Sequence, residues 1–422
     1  MLSAAENELL TRVEGTAPMG QLFRCYWLPM LLSEEIAEPD GAPAAITVLG
    51  QELVAFRDTN GRVGVLNAGC PHRLSSLVLG RNEECGIRCV YHGWKFDVDG
   101  NCTDMPTEPD DRGFKDRLKA VAYPVREAAG MVWAYLGPRE HEPPFPAFPW
   151  TAYPGNQVGV AKSGYRTNYL QAVEGAIDSA HSWYLHSGSS RDWDKRFELS
   201  SDASPRLEAE DTPYGFRYAA TRVPNVDPET TKYTRVTIFN VPSTSTIPPP
   251  LDPNLPAHTS IFVPIDDENT MLFDVYHSQN GTPVDPLALR RRLKVEPGVD
   301  LDEDWFFRGG RKNRWNQNRA AMKTGSYTGI AGFQNQDTAA VESMGAISDR
   351  TQEHLGQSDV AIIRMRRRLA EAVKSFQAGN TPPGLDGSTD YALIRSAQSV
   401  IPKDMPWQEM VPSTSVGATA AR

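Results

Sequence analysis

Apolar and polar positions change their period several times along this chain. Glu6 to Val13 alternates at helical spacing, and Met19 to Leu32 is apolar and aromatic, with Phe23, Tyr26 and Trp27, which predicts a short helix and a packed lead-in over residues 1–39. From Ala45 the pattern shortens to the runs Ile46–Leu49, Leu53–Phe56 and Val63–Leu66, separated by Gly50-Gln51 and Asn60-Gly61, which are strand and hairpin-turn signals. Similar runs continue through Ile87–Val90 to Met131–Leu136, so residues 40–141 are predicted to form a small antiparallel β domain. Residues 142–154 carry Pro143, Pro144, Pro146, Pro149 and Pro154 interleaved with Phe145, Phe148 and Trp150, a stiff connector that packs through its rings and marks a domain boundary. Beyond it a helix is predicted over Asn168–Leu185, antiparallel strands over Gly215–Arg222, Arg235–Asn240, His258–Val263 and Met271–Tyr276, and an amphipathic helix over Asp359–Phe376. Strands flanked by helices make residues 155–412 an α+β domain with a central antiparallel sheet, followed by a loose tail over 413–422.

Composition narrows the class without naming it. At 422 residues, 40% of them hydrophobic and 23% charged, the chain suits two globular domains. A formal net charge of −10 argues against nucleic acid or an anionic membrane as the main partner. No apolar run reaches membrane-spanning length and Glu6 and Glu8 stand where a signal peptide would be basic, so a cytoplasmic protein is expected. Of five cysteines, Cys25, Cys85 and Cys102 are expected to be free thiols.

The other two stand in Cys70-Pro71-His72-Arg73 and Cys89-Val90-Tyr91-His92-Gly93-Trp94. Two tight loops can each offer one thiolate and one imidazole to a shared centre, either one zinc ion or a two-iron, two-sulfur cluster. The setting favours the cluster: Pro71 and Gly93 shape tight loops, and Tyr91 can donate to a cysteine sulfur and tune a redox potential, which zinc lacks. These strings resemble the Rieske cluster motif of the aromatic-ring-hydroxylating oxygenases, in which each cysteine binds one iron and each histidine the other.

A second block, Glu174-x3-Asp178-x2-His181-x4-His186, puts two acids and two histidines on one predicted helix. His181 and His186 lie about 140° apart around a regular helix, so both reach one ion only if the helix breaks or bulges. With a carboxylate from elsewhere they make the facial triad of non-haem iron oxygenases. The block resembles the mononuclear-iron motif of the same family, and Asp337 in Asn335-Gln336-Asp337 matches the downstream ligand position, with Glu342 and Asp349 as competitors. A Rieske electron carrier would need no such block and would be far shorter.

The resemblance, with Tyr169-Leu170-Gln171 and Ser343-Met344-Gly345, points to the phthalate-dioxygenase-like branch, which also holds aryl O-demethylases. It implies a [2Fe-2S] cluster and a mononuclear Fe(II) as cofactors, dioxygen and an aromatic acid as substrates, and a homo-oligomer, typically a trimer, in which Asp178 joins His181 to His92 of a neighbouring subunit. The chain has no Gly-x-Gly-x-x-Gly, so electrons are expected from a separate reductase, with or without a ferredoxin. Arg206, Arg217 and Arg222 are candidate carboxylate clamps, Arg206 foremost. Ser243-Thr244-Ser245-Thr246 places hydroxyls where a phthalate-type enzyme needs a further cation. The expected reaction is therefore O-demethylation of a methoxylated, lignin-derived acid such as 5,5'-dehydrodivanillate, with cis-dihydroxylation of a phthalate- or chlorobenzoate-like acid as the alternative.

Overall fold

A computed structural model describes residues 1–109, 113–188 and 196–411. The tail expected over 413–422 lies outside them. In the N-terminal part, β1 (Trp27–Leu32) is followed by a three-stranded meander of β2 (Ala44–Val48), β3 (Gln51–Arg57) and β4 (Val63–Asn67). The β2–β3 turn is Leu49-Gly50, both at positive φ, the two-residue geometry that matches strand twist; it lies one residue before the expected pair. A second sheet, β5 (Arg81–Glu83), β6 (Gly86–Arg88), β7 (Lys95–Phe96) and β8 (Cys102–Asp104), frames the second cysteine loop. The layer closes with β9 (Val125–Ala128) and β10 (Met131–Tyr135), and β10 pairs antiparallel with β1, so part of the apolar lead-in is a strand of this layer.

The proline-rich connector packs through its rings, as expected: Phe145 meets Trp27 edge-on at 5.6 Å and Phe148 stacks on Trp150 at 5.3 Å. The strands after it are β11 (Val158–Tyr165), β12 (Arg206–Thr212), β13 (Gly215–Arg222), β14 (Thr231–Asn240), β15 (Thr244–Thr246), β16 (Ala257–Pro264), β17 (Thr270–His277) and β18 (Ala397–Pro402). They form one eight-stranded antiparallel sheet in the order β11-β17-β16-β15-β14-β13-β12, with β18 also on β14. The helix Tyr169–Ile177 packs on β15 and β16, the helix Phe333–Ser343 packs on it in turn, and the helix Val360–Gln377 covers β12 and β13.

The N-terminal helix Ala4–Thr11 is sewn onto this second part. Tyr169 Oη donates to Leu10 O at 2.7 Å, Asn168 Nδ2 to Thr11 O at 2.8 Å, and Asn7 Nδ2 to Ser348 O at 3.0 Å. One hydrophobic core runs from β1, β3 and β10 into the eight-stranded sheet, and a smaller one surrounds Cys70 and Cys89. Among the described residues no helix is long and apolar enough to cross a membrane.

Candidate functional site

Two similar turns carry the first set of residues. The Cys70 N–H donates to Ser75 O and its carbonyl accepts from Leu74 N, while the Cys89 N–H donates to Trp94 O and its carbonyl accepts from Gly93 N. Gly93 sits at φ +76, and a Cβ there would lie 2.8 Å from Pro106 Cγ, so the second turn needs glycine. The turns bring the His72 and His92 rings to 4.4 Å, and Trp94 stacks flat on His72 at 4.2 Å. None of the five cysteines forms a disulfide, and Cys70 and Cys89 are buried. Burial pushes the Cys70 thiol up to about 11, the His72 backbone N–H opposing and Cys89 adding to the shift. His72 Nδ1 is buried without a hydrogen-bond partner. Two buried thiols and an orphaned ring nitrogen fit a metal cluster better than they fit a polar core. Tyr91 is not bonded to either cysteine as expected; its exposed ring lies against His92 at 4.0 Å and under Arg73.

The second set is built by a helix that stops early. Instead of running to Leu185, it ends at Ile177, with Asp178 in extended conformation. Asp178 Oδ1 accepts from Ala180 N at 2.7 Å and His181 N at 3.3 Å, starting a single 3₁₀ turn over His181–Trp183. The break therefore falls before His181, and the irregular backbone carries both histidines to one point. His181 Nε2 and His186 Nε2 are 3.3 Å apart, and Asp337 Oδ1 lies 3.6 and 3.2 Å from them. That triangle suits ligands around one ion at about 2.1 Å, and among the described residues these are the three acids and histidines that converge so. Asp178 Oδ2 is 3.6 Å from His181 Nδ1. Burial alone would raise the Asp178 carboxyl, but His181 and the two amides outweigh it and hold it below its ordinary value. Burial likewise lowers His181, and Asp178 and Asp337 together raise it above its ordinary value.

Of the competitors, Glu342 is buried and taken, accepting from Arg166 N at 2.8 Å and Trp315 Nε1 at 2.7 Å. Asp349 is exposed and accepts from Thr351 and Gln352. Glu174 holds Arg350 at 2.9 Å and Arg366 at 2.7 Å, away from the triad.

Family models match both halves of the chain: a Rieske [2Fe-2S] domain over residues 26–122 and a LigXa C-terminal domain like region over residues 134–421. The chain belongs to the Rieske non-haem iron oxygenases. Their Rieske cluster and mononuclear iron are its cofactors. It is 43% identical to the phthalate 4,5-dioxygenase oxygenase subunit of Pseudomonas putida, over 97% of this chain and 94% of that one. Identity to the 3-chlorobenzoate-3,4-dioxygenase oxygenase subunit of Comamonas testosteroni is 37%, over 97% of each chain. The 5,5'-dehydrodivanillate O-demethylase oxygenase subunit of a Sphingobium species is 30% identical over 91% of this chain and 84% of that one. The fold matches the terminal oxygenase of carbazole 1,9a-dioxygenase from Nocardioides aromaticivorans with a TM-score of 0.60, covering 87% of this chain and 97% of that one at 19% identity.

In this Rieske oxygenase a cavity of about 650 Å³ opens beside the triad, large enough for an aromatic acid. Phe262, Leu272 and Ile247 supply apolar wall, and the cations in it are not the expected ones. Arg206 is exposed at the start of the outermost strand and lies outside the cavity wall. Arg217 reaches Glu210 and lies over Trp407, and Arg222 lies 3.8 Å over Trp183 and donates to Ser179 O at 2.7 Å, bracing the histidine loop from behind. Ser243 to Thr246 are buried and do not line the cavity either; the helix Tyr169–Ile177 packs on β15.

Four cations line the cavity: Arg292 and Lys294, which are exposed, and Arg196 and Arg235, which are buried. Arg235 Nε and Nη1 have no hydrogen-bond partner, and among the described residues no carboxylate pairs with its charge. Burial lowers Arg235, and burial with the charge of Arg235 lowers Arg196 well below its ordinary value. The sequence held a signal for Arg235: it is a charge inside a strand whose neighbours Thr234, Val236 and Thr237 are all of strand-core type.

Proposed function

We propose that the chain is the oxygenase component of a multicomponent system that oxidises an aromatic carboxylic acid, and that the reaction is cis-dihydroxylation of a phthalate-like ring. In this reading Cys70, His72, Cys89 and His92 hold the cluster, and His181, His186 and Asp337 hold the iron. The carrying observation is the buried, acid-free Arg235 with Arg196 in the cavity beside that triad. An unpaired buried guanidinium is costly, and an anionic substrate that pairs with it repays the desolvation. The O-demethylation expected above leaned on a shortage of cations at the pocket. With two buried arginines in its wall, and Arg292 and Lys294 besides, that reasoning turns towards a benzene carboxylate or dicarboxylate, in line with the dioxygenase relatives.

The bound iron supplies dioxygen activation. The residues do the rest: the arginines fix the carboxylate end, Phe262 and Leu272 flank the ring, and Asp178 links the iron ligand His181 to the cluster side. Two ring carbons, one dioxygen, two electrons and two protons give the cis-diol. The electrons come from NAD(P)H through a separate reductase, with or without a ferredoxin. The chain works as a homo-oligomer, a trimer or stacked trimers, in which His92 of one subunit faces Asp178 of the next.

Turnover with a partner reductase on phthalates, chlorobenzoates and methoxylated mono- and biaryl acids tests the reading. Phthalates should lead in kcat/KM with diol products, and Arg235→Gln should raise KM roughly 10- to 100-fold by removing a charged hydrogen bond. Formaldehyde from a methoxylated acid at higher kcat/KM would overturn the dihydroxylation reading, and an unchanged KM would remove Arg235 from the clamp.

A further inference from the structure

The two histidines of the triad are backed differently. Behind His181 stands a carboxylate, Asp178, at 3.6 Å from Nδ1. Behind His186 stands a neutral amide: Gln336 Oε1 is 2.8 Å from His186 Nδ1. Both side chains are buried, Gln336 2% and His186 4% exposed. The amide is itself pinned, because Gln336 Nε2 donates to Ile330 O at 2.8 Å; turning it over would set oxygen against oxygen. Oε1 must therefore face the ring, and an acceptor at Nδ1 keeps the proton there. Nε2, the atom facing His181 and Asp337, is left as a bare lone pair.

We infer that Gln336 is a positioning residue that fixes the tautomer and tilt of His186 and so presents Nε2 to the iron. The inference rests on the reading of His186 as an iron ligand. A neutral partner also fits the charge of the site: Asp178 and Asp337 already balance a divalent ion, and a third buried carboxylate would leave an excess negative charge in the fold without iron. Gln336 adjoins Asp337 on one helix, so the segment that brings the carboxylate ligand also brings the acceptor behind the imidazole.

The test is anaerobic equilibrium dialysis of iron-depleted, cluster-retaining protein against Fe(II). Gln336→Met keeps length and packing but removes the acceptor, and should bind Fe(II) about 10- to 100-fold more weakly. Gln336→Glu keeps an acceptor towards Nδ1 but sets its second oxygen against Ile330 O, so it should lower the melting temperature of the iron-depleted protein while losing less Fe(II) affinity than Gln336→Met. The cluster absorbance should be unchanged in both. Parent-like affinity in Gln336→Met overturns the inference. So does a packing pattern, in which Gln336→Glu loses more Fe(II) affinity than Gln336→Met. His186→Ala is the control. If it loses Fe(II) while Gln336→Met does not, only the positioning role fails; if it binds Fe(II) like the parent, the ligand reading fails first.

Discussion

Asp337 and Glu342 sit five residues apart on one helix and are separated by what each already holds. Asp337 Oδ1 faces two imidazoles, while both oxygens of Glu342 are spent on Arg166 N and the Trp315 indole. Asp337→Ala should therefore lose mononuclear iron and turnover while the cluster keeps its visible spectrum. Glu342→Ala should keep iron and instead lose stability, about 1–3 kcal/mol for each buried donor left unsatisfied, seen as a lower melting temperature. Iron counting on the two variants decides the assignment, and iron loss in Glu342→Ala alone would reverse it. The residue types of the site were legible because two cysteine–histidine pairs and a histidine pair recur at short spacing. Arg235 showed only as a charge inside a strand; its meaning depends on the absence of an acid opposite it, and spacing along one strand says nothing about the facing strand.

At the scale of elements, the strands were the most legible part, because alternation and short apolar runs carry directly into β3, β13 and β16. The helix expected over Asn168–Leu185 failed at Asp178 for a local reason. An aspartate that can accept from the two following amides offers the backbone an exit from the helix, and hydrophobic period alone does not register it. β17 ends on a residue with its own pH signature. Burial lowers His277 to about 4, so the folded protein keeps it neutral where the unfolded chain, near 6.5, takes up a proton. The unfolded state then binds more protons between those values, and stability falls as pH drops from about 6.5 towards 4, with no contribution above. Melting temperature followed from pH 7 down through this window should fall less steeply in His277→Gln than in the parent; equal slopes would clear His277 of any part in acid sensitivity.

At the scale of the whole molecule, the proposed trimer demands that a cluster serve the iron of another chain. Leu74, Val90 and Tyr91 are exposed around the two cysteine loops, and Tyr184 is exposed between His181 and His186, the apolar surface such a docking would cover. Asp178→Asn should then keep a reducible cluster and most of its iron, yet reoxidise the cluster far more slowly after mixing with substrate and oxygen. A stronger check co-expresses a cluster-less chain, Cys89→Ala, with an iron-less one, Asp337→Ala. The randomly assembled trimers should together recover about a quarter of parental activity if partners combine around a ring, whereas chains that work alone recover none. The N-terminal helix sets a different constraint, on the order of events during synthesis. Its bonds reach Ser348 and Asn168, so this helix waits for partners 341 and 157 residues further along the chain. Both cysteine loops lie ahead of those partners in the chain, so domain-by-domain folding during synthesis would let them form before that clasp closes.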